Sequence, residues 1–289
     1  MIGGSLTCLR AESYRLVRTR STWLALILLS LLAAARVLVA FLDDSLEHAD
    51  ALRRAHSNGE DLPAFDPGNA WGPFVDGWRT GLIMGTLLLV VAAAASLAAD
   101  RRAGVLRTAT TRSVSRGGLL MGRVLLGVPL IAGLVAATGL SAWAAASPLY
   151  EFGPLVVKGV TLVDSEELVR ELRAAVLLAL PALFACWCFG LCISTLSRSA
   201  VQAVAVSLVL LVGFDLFKGL LGEGQWWVFA AFSPSPQDGS ALNEMSGIAR
   251  GFIDAGYETA QINMNLVLPW CWAAGFLLVA ARVLGRRSL

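Results

Sequence analysis

Six long apolar segments divide this 289-residue chain, and they constrain its fold more than any other feature. In a helix, about 20 consecutive apolar residues cross the roughly 30 Å hydrocarbon core of a bilayer. Only 15% of the residues are charged, against about 25% in soluble domains. The sequence therefore predicts an all-α polytopic membrane protein with six transmembrane helices, which cover residues 22–42, 80–99, 123–146, 174–196, 199–217 and 266–284.

The basic residues are distributed unevenly between the two sides of these spans. If the N-terminus is inside, 14 Lys and Arg residues fall on the inner side and 8 on the outer side. Because cytoplasmic loops carry the excess of Lys and Arg, both termini are predicted to be cytoplasmic. The alternative for the first span is a cleavable signal peptide, but an apolar run that continues to Leu42 favours a retained helix.

The connecting segments complete a single transmembrane domain, residues 1–289. Residues 1–21 predict a basic amphipathic helix on the inner membrane surface, although a fully solvated helix would carry the same arginines. Prolines and glycines indicate an irregular outer loop over 43–79. The outer loop 147–173 ends in a predicted short helix, 161–173, in which Asp164 and Glu167 have capping-box spacing.

The last outer loop, 218–265, contains the sequence WWVFAAF at residues 226–232. This stretch is too short to cross a bilayer and too apolar for an aqueous loop. Tryptophan is enriched at the membrane interface. We therefore expect a re-entrant or interfacial segment before the sixth span, anchored by Trp226 and Trp227. The chain ends in a short cytoplasmic tail, 285–289.

Motifs that would support catalysis within this chain are absent from the sequence. Neither lysine, Lys158 or Lys218, follows a glycine, so the Gly-Lys of a phosphate-binding P-loop does not occur. No HExxH or GxSxG motif occurs, and His48 and His56 are predicted to be solvated loop residues. Cys188 and its neighbour Cys192, four residues later, could share a soft metal, but packing of small side chains is favoured. We predict no catalytic residue, cofactor or metal in this chain.

Arg36 and Asp215 are the two clear ionisable residues within the predicted spans. Intramembrane charges often belong to ion or substrate pathways. Both residues lie toward the outer ends of their helices, where Arg36 can extend its guanidinium to the interface and Asp215 can be hydrated. An interhelical ion pair or a contact with a transported substrate is the alternative for each.

The inner loop 100–122 and the start of the next span carry the most specific pattern in the sequence. Residues 99–123 read ADRRAGVLRTATTRSVSRGGLLMGR, with six arginines and one carboxylate. This loop, together with the order of the spans, resembles the permease subunits of type-2 ABC exporters, the ABC-2 family. In that family, the loop is a coupling helix that opens with an acidic residue, arginines and Gly-Thr-Leu, and closes with a Pro-x-Ser-Arg turn and Gly-Lys. The matching elements are Asp100-Arg101-Arg102, Gly104-Val105-Leu106, Ser113-Val114-Ser115-Arg116 and Gly122-Arg123.

Four positions depart from the family pattern, since Asp100, Val105, Ser113 and Arg123 replace Glu, Thr, Pro and Lys. These departures concern the detail of docking. The resemblance implies that this loop binds an ATPase, with Leu106 and Val105 as apolar anchors inside a rim of arginines. The implied contact residues are Asp100, Arg101, Arg102, Gly104, Val105, Leu106, Arg107, Arg112, Ser115 and Arg116.

The resemblance also implies the rest of the transport system. The chain would be a non-catalytic permease in the cytoplasmic (inner) membrane of a bacterium, and it would export a lipid, a drug or a peptide-like substrate. Two copies of an ABC ATPase would bind ATP and Mg²⁺, and a second permease copy or a paralogue would complete the pathway among the membrane lipids. No nucleic acid partner is expected. The alternatives are an ion-coupled secondary transporter or channel, and a non-transporting membrane anchor or sensor.

Overall fold

The computed structural model describes residues 10–11, 13–14, 18–58, 68–102, 115–157, 160–235, 240–252 and 259–286. The helices of this part are α1 (Arg20–Asn58), α2 (Trp71–Arg102), α3 (Arg116–Ala146), α4 (Ser165–Leu196), α5 (Ala200–Phe217), α6 (Ala241–Ala249) and α7 (Thr259–Arg286). Two short 3₁₀ helices, Lys218–Trp227 and Phe229–Phe232, follow α5. Strands β1 (Leu155–Val157) and β2 (Val160–Val163) form an antiparallel hairpin between α3 and α4.

Six of the described helices are long and apolar enough to cross a membrane, namely α1, α2, α3, α4, α5 and α7. Each contains one of the six apolar segments, so the predicted all-α polytopic architecture is confirmed. Residues 1–9 lie outside the described part. The prediction of an amphipathic N-terminal helix can therefore be compared with the structure only at residues 10, 11, 13, 14 and 18–21, which are helical except for residue 19.

Two loop predictions are corrected by the structure. The segment 43–79 is helical over residues 43–58 and 71–79. The first part continues α1, because no proline or glycine interrupts this polar stretch. The second part begins α2, where Asn69 Oδ1 accepts a hydrogen bond from the backbone N–H of Trp71. Residues 161–163 belong to β2, and α4 is one continuous helix of 32 residues from Ser165. Asp164 occupies the N-cap position of α4, but its side chain makes no capping hydrogen bond.

α4 lies at the centre of the bundle, and α2, α5 and α7 pack around it. Glycines allow the closest approaches: a Cβ on Gly190 of α4 would lie 2.6 Å from the Ala93 side chain of α2. On α2, Gly81 and Gly85 face Thr138 and Leu134 of α3 in the same way. Gly81 and Gly85 therefore lie in a helix contact, where small residues let backbones approach.

The segment after α5 turns back into the bundle. Residues Phe229 to Phe232 are fully buried, and the Phe229 ring contacts aromatic rings of α4, α5 and α7. Trp226 is half-buried against Phe232, whereas Trp227 is exposed and its carbonyl accepts a hydrogen bond from Trp272 Nε1 at 2.8 Å. Ten residues of 3₁₀ helix cannot cross a bilayer, and the re-entrant placement of this segment in the membrane stays a prediction.

Candidate functional site

The helix ends that flank the predicted coupling loop meet at one end of the bundle. We call this the basic end of the bundle. Helices α1 and α3 begin at this end and α2 and α7 finish at it, and the turn from α4 to α5 lies beside them. Of the predicted contact residues, the structure describes Asp100, Arg101, Ser115 and Arg116, together with the backbone of Arg102. Gly104, Val105, Leu106, Arg107 and Arg112 lie outside the described residues, so their roles stay predictions.

Asp100 and Arg123 form a buried ion pair that joins the end of α2 to the first turns of α3. Both side chains are less than a tenth exposed, and the guanidinium Nη2 donates to Oδ2 of the carboxylate. Trp187 of α4 donates its indole N–H to the Arg123 carbonyl at 3.1 Å. Because a buried charge needs a partner, Asp100 braces the base of the loop internally rather than presenting its carboxylate to solvent.

Arg101 reaches from α2 to the end of α4. Its Nη1 donates to the Ser197 carbonyl at 2.8 Å, and its Nη2 donates to the Thr195 carbonyl at 3.4 Å. The last carbonyls of a helix have no partner within the helix and carry its partial negative charge. A guanidinium therefore suits this position, and it fixes α2 to the turn between α4 and α5.

Arg116 makes the equivalent contact from α3 to the end of α7. Its Nη1 donates to the carbonyls of Gly285 at 2.9 Å and Leu284 at 3.2 Å. Ser115 is the N-cap of α3, and its hydroxyl accepts from the Gly118 N–H at 3.1 Å. Together, Arg101, Arg116 and the Asp100–Arg123 pair form what we call the basic-end network, which links α2, α3, α4 and α7.

The intramembrane charges that the sequence singled out are both paired. Arg36 Nη2 lies 3.5 Å from Asp76 Oδ2, so the predicted alternative of an interhelical pair is the arrangement found. Asp76 also accepts from Ser246 and Arg250 of the segment that forms α6 and its C-cap. The sequence interpretation missed Asp76 because it assigned this residue to an irregular loop rather than to α2.

Asp215 lies in a second ion pair, at the end of α5 opposite the basic end. Lys218 Nζ lies 2.9 Å from Asp215 Oδ1, and the Lys218 side chain is only 4% exposed. The Ser235 hydroxyl donates a hydrogen bond to Asp215 and accepts one from Lys218. The Ser235 carbonyl accepts a hydrogen bond from Arg79 of α2 at 3.1 Å. These contacts therefore connect the segment that contains the two 3₁₀ helices to α5 and α2.

Tyr150 and the cysteines complete the candidate polar groups. Tyr150 follows α3 and donates to Asp44 Oδ2 at 2.7 Å; burial, together with this hydrogen bond, raises the pKa of its phenol well above the ordinary value. Cys186, Cys188 and Cys192 are buried in α4. Across the described ranges, no group of three or more His, Cys, Asp or Glu residues is placed to hold a metal ion.

Six apolar helices, a buried segment after α5 and a charged network at one end are the architecture of a polytopic membrane protein. The family model of the ABC-2 family transporter protein matches residues 6–284, nearly the whole chain. The chain belongs to this ABC-2 transporter family and is a membrane permease of ABC-type transport. No curated protein and no solved structure matches it significantly.

Proposed function

We propose that this chain forms the translocation pathway of an ATP-driven exporter and receives its work from a separate ABC ATPase that docks on the loop 100–122. The observation that carries this proposal is the basic-end network. It connects both ends of the loop to four membrane helices through short, charged contacts. A displacement of the loop would therefore move these helices together rather than bend one of them.

The docking surface itself is proposed from the sequence. Leu106 and Val105 supply an apolar anchor, and Arg107 and Arg112 supply a charged rim, which is the usual division between affinity and orientation at an interface. Arg101 and Arg116 already donate to helix carbonyls, so we assign them to transmission of the motion. Asp100 acts beside them through its pair with Arg123.

The complete transporter, in this proposal, has two ATPase copies, which bind ATP and Mg²⁺, and a second permease copy or a paralogue. It resides in the inner membrane of a bacterium and exports a lipid, a drug or a peptide-like molecule. The scarcity of ionisable residues within the predicted spans, with Arg36 and Asp215 the two clear cases, supports this assignment over an ion-coupled transporter, whose pathway usually needs more of them.

Co-purification tests the proposal. The tagged full-length chain, extracted from its native membrane in mild detergent, is expected to bring down a protein with a P-loop sequence. The complex in nanodiscs is expected to hydrolyse ATP, whereas the chain alone is not. Purification of the chain without any P-loop protein from mild detergent, across several detergents and after cross-linking, would contradict the proposal.

Orientation is tested by cysteine labelling in a background that lacks the native cysteines. Ser57→Cys and Glu166→Cys lie at exposed positions at the end of the bundle opposite the basic end, and Thr110→Cys lies in the proposed docking loop. An impermeant maleimide is expected to label the first two in intact cells, because the excess of Lys and Arg lies on the other side. Thr110→Cys should react only after permeabilisation. Labelling of Thr110→Cys in intact cells would reverse the proposed orientation.

A further inference from the structure

A cavity of about 460 Å³ lies at the end of the bundle opposite the basic end. Its volume is within the range of small-molecule sites. Charged side chains of both signs line it, which is unusual in a chain whose spans are almost uncharged. The charged and polar lining residues are Arg36, Asp43, Asp44, Asn69, Asp76 and Arg250.

The inner wall of the cavity carries an excess of positive charge. Arg36 and Arg250 both contact the same oxygen, Oδ2 of Asp76, so two guanidinium groups share one carboxylate. The Arg36 side chain is 35% exposed and that of Arg250 is 49% exposed. Planar guanidinium groups that retain N–H donors are well suited to bind a phosphate.

Negatively charged side chains lie on the same face of α1, nearer to the C-terminal end of this helix. Asp43 and Asp44 follow Arg36 by seven and eight residues, about 10–12 Å along the helix axis. The Asp44 carboxylate accepts from Tyr150, whereas the exposed carboxylate of Asp43 forms no ion pair or hydrogen bond with the described part of the chain. A carboxylate in this setting is available to a ligand ammonium group.

The order of the charges relative to the bilayer indicates the ligand. The apolar stretch of α1 ends at Leu42, so Arg36 lies at the depth of the apolar segment and Asp43 lies just beyond it. In an aminophospholipid, the phosphate is attached to the glycerol and the ammonium extends further toward water. We propose that this cavity binds a phosphoethanolamine group, with its phosphate at Arg36 and Arg250 and its ammonium at Asp43 and Asp44. This site is independent of the proposed ATPase coupling.

Binding can be measured by native mass spectrometry of the full chain released from micelles that contain phosphatidylethanolamine, phosphatidylglycerol or phosphatidylcholine. Phosphatidylethanolamine is expected to bind about tenfold more tightly than the other two lipids. Phosphatidylglycerol lacks the amine, and the quaternary ammonium of phosphatidylcholine has no N–H donors. The phosphoethanolamine group could belong to a lipid or to a soluble molecule, and free phosphoethanolamine is added as a competitor to distinguish these two sources. Displacement at equal concentration would assign the site to a soluble phosphorylated amine, and failure to displace assigns it to the lipid.

Two variants separate the two halves of the site. Asp43→Asn is expected to lower the affinity for phosphatidylethanolamine about tenfold and to leave phosphatidylglycerol binding unchanged. Arg250→Gln is expected to weaken both lipids, since both carry the phosphate. Arg53→Gln, on the exposed part of α1 beyond the cavity, is the matched control and should bind like the unmodified chain. Equal affinity for all three lipids, or an unchanged affinity in Asp43→Asn, would overturn the proposal.

Discussion

Replacement of Asp100 by Asn is expected to destabilise the folded protein by about 3–5 kcal/mol. The change removes the carboxylate charge that pairs with Arg123, and it leaves the guanidinium in a site that is almost inaccessible to water. Loss of one member of a buried pair costs more than the pair contributes, because the remaining charge stays desolvated. The measurement is unfolding in detergent or nanodiscs, followed by the yield of monodisperse protein.

Four further variants show whether loss of the charge pair causes this destabilisation. Asp100→Glu and Arg123→Lys each keep both charges, and we expect both variants to fold. Joint replacement by Asp100→Leu and Arg123→Met removes both charges and should recover most of the lost stability, because a buried pair can be replaced by apolar side chains of similar volume. Asp50→Asn breaks the exposed pair with Arg53 and should cost less than about 1 kcal/mol. Equal effects of Asp100→Asn and Asp50→Asn would contradict the structural role of the pair.

Replacement of Leu106 by Asp is expected to release the ATPase while the permease remains folded in the membrane. A leucine buried at an interface contributes roughly 2–4 kcal/mol. Its loss is therefore expected to weaken a micromolar contact by about 30-fold to 1000-fold. A carboxylate at this position also has to be desolvated when the partner binds. The measurements are co-purification of the ATPase and ATP hydrolysis by the reconstituted complex.

The arginines of the proposed charged rim provide variants whose effect on ATPase binding can be compared with that of Leu106→Asp. Arg107→Ala and Arg112→Ala are expected to have smaller effects that diminish at high salt, because exposed charges are screened over about 8–10 Å. The loss in Leu106→Asp should persist at every salt concentration. Full partner binding by Leu106→Asp, with unchanged hydrolysis, would show that this loop is not the docking site and that its arginines serve orientation in the membrane.

These two predictions concern different parts of one proposed pathway. Leu106 tests whether force enters through the loop, and Asp100 tests how the base of the loop is held. A variant of Arg101 or Arg116 would weaken the contact with α4 or α7 without removing a buried counter-charge. Co-purification of the ATPase without stimulated hydrolysis in such a variant would locate the defect in transmission rather than in docking.

The sequence by itself determined the membrane architecture. Hydropathy is a local property, so each apolar run identifies its own span, and six runs give the six long helices found in the structure. The burial of residues 229–232 is consistent with the length and apolar character of the segment 226–232, which exclude both a span and an aqueous loop. The pattern of residues 100–123, together with the order of the spans, was sufficient to suggest the family to which the chain belongs.

The tertiary structure alone decided which charges meet. Asp100 and Arg123 are 23 residues apart, Arg101 and Ser197 are 96 apart, and Asp76 and Arg250 are 174 apart. Whether such residues pair depends on the rotation and depth of each helix, and in a bilayer these are set by packing against neighbouring helices rather than by local sequence preference. An arginine in an inner loop obeys the positive-inside rule wherever its side chain points, so only the packed bundle distinguishes one that caps a helix from one that faces solvent.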